Sequence, residues 1–191
     1  MRYCVFSGSS PGIREGYARA ADELGRLLVA EGIGLVYGGA SVGLMGTVAN
    51  AALAAGGEVI GVIPRALVDR EVAHKGLSDL RVTSSMHERK ALMAALSDGF
   101  IALPGGIGTL EETFEVWTWA QLGHHHKPCA LLNCDGFYNG LNNFLDNVVE
   151  EGFLRVEHRK TLICERDSQI LLQAMKQYVP PTPMGKWIGR E

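Results

Sequence analysis

Short apolar runs that end in glycine-rich turns constrain the fold of this chain more than any other feature of its sequence. Runs at 3–7, 34–37, 58–63, 80–83, 99–103, 128–132 and 161–164 are mostly apolar throughout and bounded by Gly or Pro. Strands read this way when a parallel sheet is covered on both faces, because neither face then alternates with polar residues. Helical patterns lie between them, at 14–31, 43–55, 87–97, 110–122, 138–150 and 168–178. The first places Tyr17, Ala21, Leu24, Leu27 and Leu28 on one stripe. Such alternation predicts an α/β fold, Rossmann-like and doubly wound, with a mostly parallel sheet of about seven strands and helices on both faces. Its crossovers should be right-handed, and a ligand should bind beyond the carboxyl ends of the strands. Residues 1–179 read as a single domain, and 180–191, with three prolines, as an irregular tail.

Charge narrows the function. The net charge is −3 and no Lys/Arg stripe is present, so no nucleic acid polymer is expected as a partner and a small molecule is. No stretch reaches membrane-spanning length without polar or glycine breaks. The run from Met1 to Phe6 lacks the zones of a signal peptide, which points to a cytoplasmic location. Cys4, Cys129, Cys134 and Cys164 form no CxxC pair and read as reduced, mostly buried thiols.

The glycines, 24 in all, gather at the ends of the apolar runs. Three turns stand out: Ser7-Gly8-Ser9-Ser10-Pro11-Gly12, then Gly38-Gly39 through Gly43-Leu44-Met45-Gly46, then Pro104-Gly105-Gly106-Ile107-Gly108-Thr109. Each precedes a helical pattern, where exposed amides and the helix dipole favour an anion such as phosphate. Glycine also serves tight strand–helix turns for steric reasons alone. No turn continues as GK[ST], and none fits GxGxxG with a ribose-binding acid downstream, which argues against a nucleoside triphosphatase or a nicotinamide dehydrogenase.

Two acid–base clusters admit two readings each. Thr109 and Glu112 have capping-box spacing, or else a glutamate faces a ligand at the helix start. Arg89 and Lys90 in Ser84-Ser85-Met86-His87-Glu88-Arg89-Lys90 are either solvated surface charge or binders of an oxyanion, with Arg89 suited to a bidentate fork. Other features read as structural. Three consecutive histidines, His124-His125-His126, cannot share a helix face as metal ligands. Trp117 and Trp119 suit packing, as do Met86 and Met93, although Met86 could also touch a bound base.

The segment Ser85-Met86-His87-Glu88-Arg89-Lys90, followed by Pro104-Gly105-Gly106-Ile107-Gly108-Thr109-Leu110-Glu111-Glu112, resembles the LOG ("Lonely Guy") family of cytokinin riboside 5′-monophosphate phosphoribohydrolases, often mislabelled lysine decarboxylases. The pattern PGGxGTxxE is matched at every fixed position, and the openings Phe6-Ser7-Gly8-Ser9 and Gly43-Leu44-Met45-Gly46 are similar too. The resemblance spans nearly the whole chain. It implies a Rossmann-like N-ribosidic hydrolase, acting as a homodimer on a nucleoside monophosphate without metal or cofactor. It makes Arg89 and Glu112 the catalytic pair. It places Glu71, Met86, Lys90, Gly105, Gly106, Ile107, Gly108, Thr109, Leu110, Glu111 and Thr118 against the substrate. The wording around Glu71 departs from the family's. Two other functions compete: a decarboxylase using Lys90, and a non-catalytic nucleotide-binding or sensing module of the same fold.

Overall fold

The computed structural model describes residues 1–68, 73–77 and 79–181. Seven strands form one sheet: β1 (Arg2–Phe6), β2 (Gly34–Tyr37), β3 (Val59–Pro64), β4 (Asp79–Thr83), β5 (Gly99–Ala102), β6 (Cys129–Leu132) and β7 (Leu162–Glu165). Their order is β4-β3-β2-β1-β5-β6-β7, and every neighbouring pair is parallel. The helices are α1 (Glu15–Ala30), α2 (Gly43–Ala54), α3 (Arg65–Val68), α4 (Met86–Leu96), α5 (Ile107–Gln121), α6 (Asn139–Glu150), α7 (Val156–Arg159) and α8 (Ser168–Lys176).

Successive residues of a strand face opposite sides, and both sides here are buried. Tyr3, Val5, Leu35, Tyr37, Ile101 and Leu132 pack under α1, α2 and α8, through Leu24, Leu28, Val48, Leu171 and Met175. Cys4, Phe6, Val36, Ile60, Phe100 and Leu131 pack under α4, α5 and α6, through Met93, Val116, Trp117 and Leu145. Each fully buried large side chain contributes about 1.5–3 kcal/mol, so the two layers supply most of the driving force for folding. Helices α1 and α2 approach closely at Gly25, where an added Cβ would lie 2.5 Å from the Val48 carbonyl oxygen.

Strand order reverses at β1. The chain winds outward through β2, β3 and β4, then returns to lay β5 on the other flank of β1. The loops after β1 and β5 therefore leave in opposite directions and open a crevice at the carboxyl edge.

Helices α4 and α5 begin earlier than their apolar patterns indicate. Ser85 caps α4, its Oγ accepting from the Glu88 amide at 3.2 Å, while the Glu88 carboxylate accepts from the Ser84 amide at 2.7 Å. Helix α5 starts at Ile107 from an extended Gly106 that offers no capping side chain. Thr109 thus lies inside the helix, its carbonyl accepting from Thr113 Oγ1 at 2.6 Å, and no Thr109–Glu112 capping box forms. The four-residue helices α3 and α7 have too little periodicity to be seen in the sequence. Of the expected irregular tail, 182–191 lie outside the described residues.

Candidate active site

The three glycine turns are stitched into one unit. The Gly8 amide donates to the Pro104 carbonyl at 3.0 Å, and the Leu44 amide donates to the Gly8 carbonyl at 3.0 Å. Side chains would prevent this. A Cβ on Gly43, whose φ is +58°, would come within 2.3 Å of the Ser9 backbone, and one on Gly105 would lie 2.1 Å from Thr109 Oγ1. The glycines are therefore required by backbone-on-backbone packing. They also leave the amides of the loop ahead of α5 uncovered, since a Cβ on Gly106 or Gly108 would enter open space. With no capping side chain, the first turn of α5 presents amides and the positive end of the dipole to the crevice.

A cavity of about 250 Å³ lies between the turns after β1 and β5. Gly8, Ser9, Gly105 and Gly106 line it, with Leu44 and an aromatic wall of Tyr17 and Phe137. These two rings meet edge to face at 5.6 Å. Asp135, held at φ +52°, fixes the wall in place. Its carboxylate is lodged against Gly16 in the first turn of α1, where a Cβ would sit 2.0 Å from Oδ2, and its carbonyl accepts from Arg14 Nη1 at 3.0 Å. Helix α1 has no side-chain cap from its own N-cap residue, and this carboxylate adds to Glu15 the negative charge favoured at its start.

Beside the third turn, Arg89 and Glu112 form an ion pair with side chains only 8% and 11% exposed. The surface-charge reading of Arg89 and Lys90 does not hold: both are buried. The guanidinium is held on three sides. Nη1 donates to Glu112 Oε1, Nε donates to the Val62 carbonyl within β3 at 3.0 Å, and Nη2 rests on Gly38. Burial pushes the Glu112 carboxyl above the ordinary glutamate range, Arg89 draws it back in part, and Glu111 adds to the rise. A carboxyl raised in this way can exchange protons nearer neutrality than a surface glutamate can.

Lys90 points the other way along α5, with its Nζ paired to Glu111 and lying 3.0 Å from Glu115 Oε2. Burial lowers its pKa, but the two carboxylates more than compensate and hold it above the ordinary lysine value. Lys90 thus clamps α4 to α5 and keeps Arg89 and Glu112 opposite each other.

The other expected residues are spread over the turn after β5, α4 and α5. Thr109 is buried under Gly105, Leu110 is half-buried, and Gly106, Ile107 and Gly108 are exposed at the crevice. Met86, 45% exposed, opens α4. Thr118 is exposed and lies two turns beyond Glu111 on α5, away from the ion pair. Glu71 lies outside the described residues. His74, buried and bonded to Gly39, was invisible as a site residue in the sequence because every partner it has is non-local or backbone.

The remaining features settle as packing. His125 Nε2 lies 2.9 Å from the Val116 carbonyl, and its Nδ1 accepts from the Lys127 amide, so the ring closes the turn after α5. Among the described residues no group of three His, Cys, Asp or Glu side chains gathers as a metal site, and no helix is long and apolar enough to cross a membrane. Trp117 is buried and donates to Thr161 Oγ1. All four cysteines are free thiols.

Gly38 leaves no room beside the guanidinium, since an added Cβ would lie 2.5 Å from Arg89 Nη2 and 2.9 Å from Met45 Sδ. Gly38→Ala should cost about 1–3 kcal/mol by overpacking and turn the guanidinium away from Glu112. Urea unfolding and a crystal structure of the variant check this; an unchanged midpoint with the ion pair in place would refute it.

Residues 45–175 match the family model described as "Possible lysine decarboxylase". The chain is 52% identical over 180 residues to the rice (Oryza sativa subsp. japonica) probable cytokinin riboside 5′-monophosphate phosphoribohydrolase LOGL5, covering 94% of this chain and 73% of that one. It is 50% identical over 184 residues to the rice cytokinin riboside 5′-monophosphate phosphoribohydrolase LOG, covering 96% and 76%. With LOG4 of Arabidopsis thaliana it shares 51% over 179 residues, covering 94% and 83%. Among solved structures, the molybdenum cofactor binding protein of Rippkaea orientalis aligns with a TM-score of 0.69 at 23% identity, over 92% of this chain and 95% of that one. The molybdenum cofactor carrier protein of Chlamydomonas reinhardtii aligns at 0.68 and 24%, over 92% and 96%. These two likenesses concern the fold alone.

Proposed function

The chain belongs to the LOG family of cytokinin riboside 5′-monophosphate phosphoribohydrolases, and from that membership we propose that it hydrolyses the N-glycosidic bond of a nucleoside 5′-monophosphate to free base and ribose 5-phosphate. The observation that carries the reading is the buried Arg89–Glu112 pair set beside the uncapped, glycine-lined start of α5. The 5′-phosphate lies on the amides from Gly105 to Thr109, where the helix dipole favours a dianion. Its binding energy, gained away from the reacting bond, places the anomeric carbon at Glu112.

Hydrolysis adds water across the C1′–N bond. The bonding pair leaves with the base nitrogen, and C1′ passes through an oxocarbenium-like state, by analogy with O-glycosides. The Glu112 carboxylate stabilises that positive charge and orients the water. The water oxygen becomes the anomeric hydroxyl, and one water proton ends on the departing base. Arg89 holds Glu112 in position and assists departure of the base, while the loop amides keep the phosphate. Met86, Glu111 and Thr118 belong to the rim of the site, and Glu71 is assigned to the substrate by resemblance alone. Lys90, whose ammonium is paired with two glutamates, keeps one N–H for the substrate.

The base is of the adenine type, as in AMP or an isopentenyl-type cytokinin nucleotide, and the working form is a homodimer in the cytoplasm. A decarboxylase built on Lys90 is disfavoured, because an imine-forming lysine needs a neutral amine and two carboxylates hold this one as an ammonium. The test is incubation with AMP, with adenosine as control. Adenine and ribose 5-phosphate should appear from AMP, and far less base from adenosine. Tight binding of AMP without release of adenine would instead assign the chain a sensing role.

A further inference from the structure

Arg89 is seated on Gly38, and what holds Gly38 is a histidine that no motif singles out. The His74 amide donates to the Gly39 carbonyl at 2.9 Å, and Ala73 bridges Ala40 in antiparallel fashion. The 73–77 segment is thus laid directly on the turn after β2. Gly39 adopts φ +76° and packs so tightly on β3 that an added Cβ would meet Val62 and Ile63 at 3.1–3.3 Å. The turn has little freedom once its carbonyl is held.

The ring of His74, only 8% exposed, locks the segment down. Its Nδ1 receives the Gly76 amide at 3.1 Å, and its Nε2 lies 2.9 Å from Asn50 Oδ1 on α2. The backbone donor decides the tautomer. Because Gly76 donates, Nδ1 is bare, so Nε2 carries the proton and donates to Asn50. The path is continuous: α2 through Asn50 to His74, from the His74 amide to Gly39, and from the adjoining Gly38 to Arg89 Nη2.

We infer that His74 is a positioning residue for catalysis, which ties the 73–77 segment to α2 and thereby holds the Gly38–Gly39 turn as the seat of the Arg89 guanidinium. The inference rests on the proposed hydrolase reading. His74 touches neither reacting atoms nor the phosphate loop, so its loss should slow the chemical step and spare phosphate binding. A displacement of about 1 Å at a reacting group can cost up to roughly 10²-fold in rate, and a partial loosening of the seat should cost about 10-fold.

The experiment compares wild type, His74→Ala, His74→Gln, Asn50→Ala and the double variant His74→Ala/Asn50→Ala. It measures kcat for base release from AMP, affinity for ribose 5-phosphate, and crystal structures of the variants. His74→Ala should lower kcat about 10-fold with ribose 5-phosphate affinity within about 2-fold of wild type, the signature of a loss confined to the transition state. The glutamine amide nitrogen occupies the place of Nε2, so His74→Gln should recover most of the rate. Asn50→Ala, on the exposed side of the same bond, should reproduce the loss, and the double variant should be no slower than either single one. Should His74→Ala fail to fold, Asn50→Ala decides alone. An unchanged kcat in folded variants, or a parallel fall in kcat and product affinity, would overturn the inference. A wild type that releases no base from AMP would defeat the hydrolase reading instead. The crystal structures then still decide the positioning claim: Arg89 and Gly38 unmoved in His74→Ala ends it.

Discussion

Glu112→Gln should fold, bind ribose 5-phosphate, and release base from AMP at least about 10²-fold more slowly than wild type, the scale of losing one charged catalytic group. The substitution keeps the length of the side chain and an oxygen for the Arg89 Nη1 hydrogen bond, so geometry changes little. What it removes is the negative charge facing the anomeric carbon. A second signature should accompany the loss. Burial holds the Glu112 carboxyl above the ordinary glutamate range. If the carboxylate is the working form, activity rises with pH only as that raised group ionises, so the acid limb of kcat/KM lies above the usual carboxylate value. In Glu112→Gln this limb should disappear from the residual rate. Near-full turnover by a folded Glu112→Gln protein would remove the carboxylate from the mechanism.

Arg89→Met should be the most destabilising single change at the site, by about 3–5 kcal/mol near neutral pH, because it strands a buried carboxylate without its partner. Both side chains are about nine-tenths buried, so water cannot take over the lost interaction. The pH dependence follows from the direction of the shift. Without Arg89, burial and Glu111 still raise the Glu112 pKa, opposed only by the weaker attraction of Lys90. Below the unfolded-state pKa the group is protonated in both states and the electrostatic deficit vanishes. It grows as pH rises above that value and levels off above the folded-state pKa. Urea unfolding from pH 4 to pH 8 reads it directly. The double variant Arg89→Met/Glu112→Leu should recover most of the stability, since an apolar pair of similar size often matches a buried ion pair, and should still release no base. A double variant as unstable as Arg89→Met would mean that the pair contributes to the fold in its own right.

Different residues of the site were legible in the sequence to different degrees. The turn at Pro104–Thr109 is a local motif whose spacing already states its geometry, and the upstream Arg89-Lys90 follows from resemblance. Their environment was not legible. Surface charge and buried charge look the same in a string of letters, and only the packing of α4 against β3 and α5 places Arg89 under Gly38 and on Val62. The capping box suggested by Thr109 and Glu112 failed for a related reason. Gly106 takes an extended conformation from which the helix starts three residues earlier, so Thr109 turns inward onto Gly105. Asp135 and His74 gave no signal, because each acts on a segment far away in the chain: Asp135 on Gly16, and His74 on Gly39 and Asn50.

The amino-acid sequence alone determined the layered α/β architecture and the location of the glycine turns, because strand burial and glycine chemistry are properties of neighbouring residues. The tertiary structure decided which charges became a buried ion pair. A guanidinium and a carboxyl group 23 positions apart meet only when the sheet order brings the ends of β2, β3 and β5 to one edge. Their protonation and reach then depend on the low-dielectric surroundings that this meeting creates.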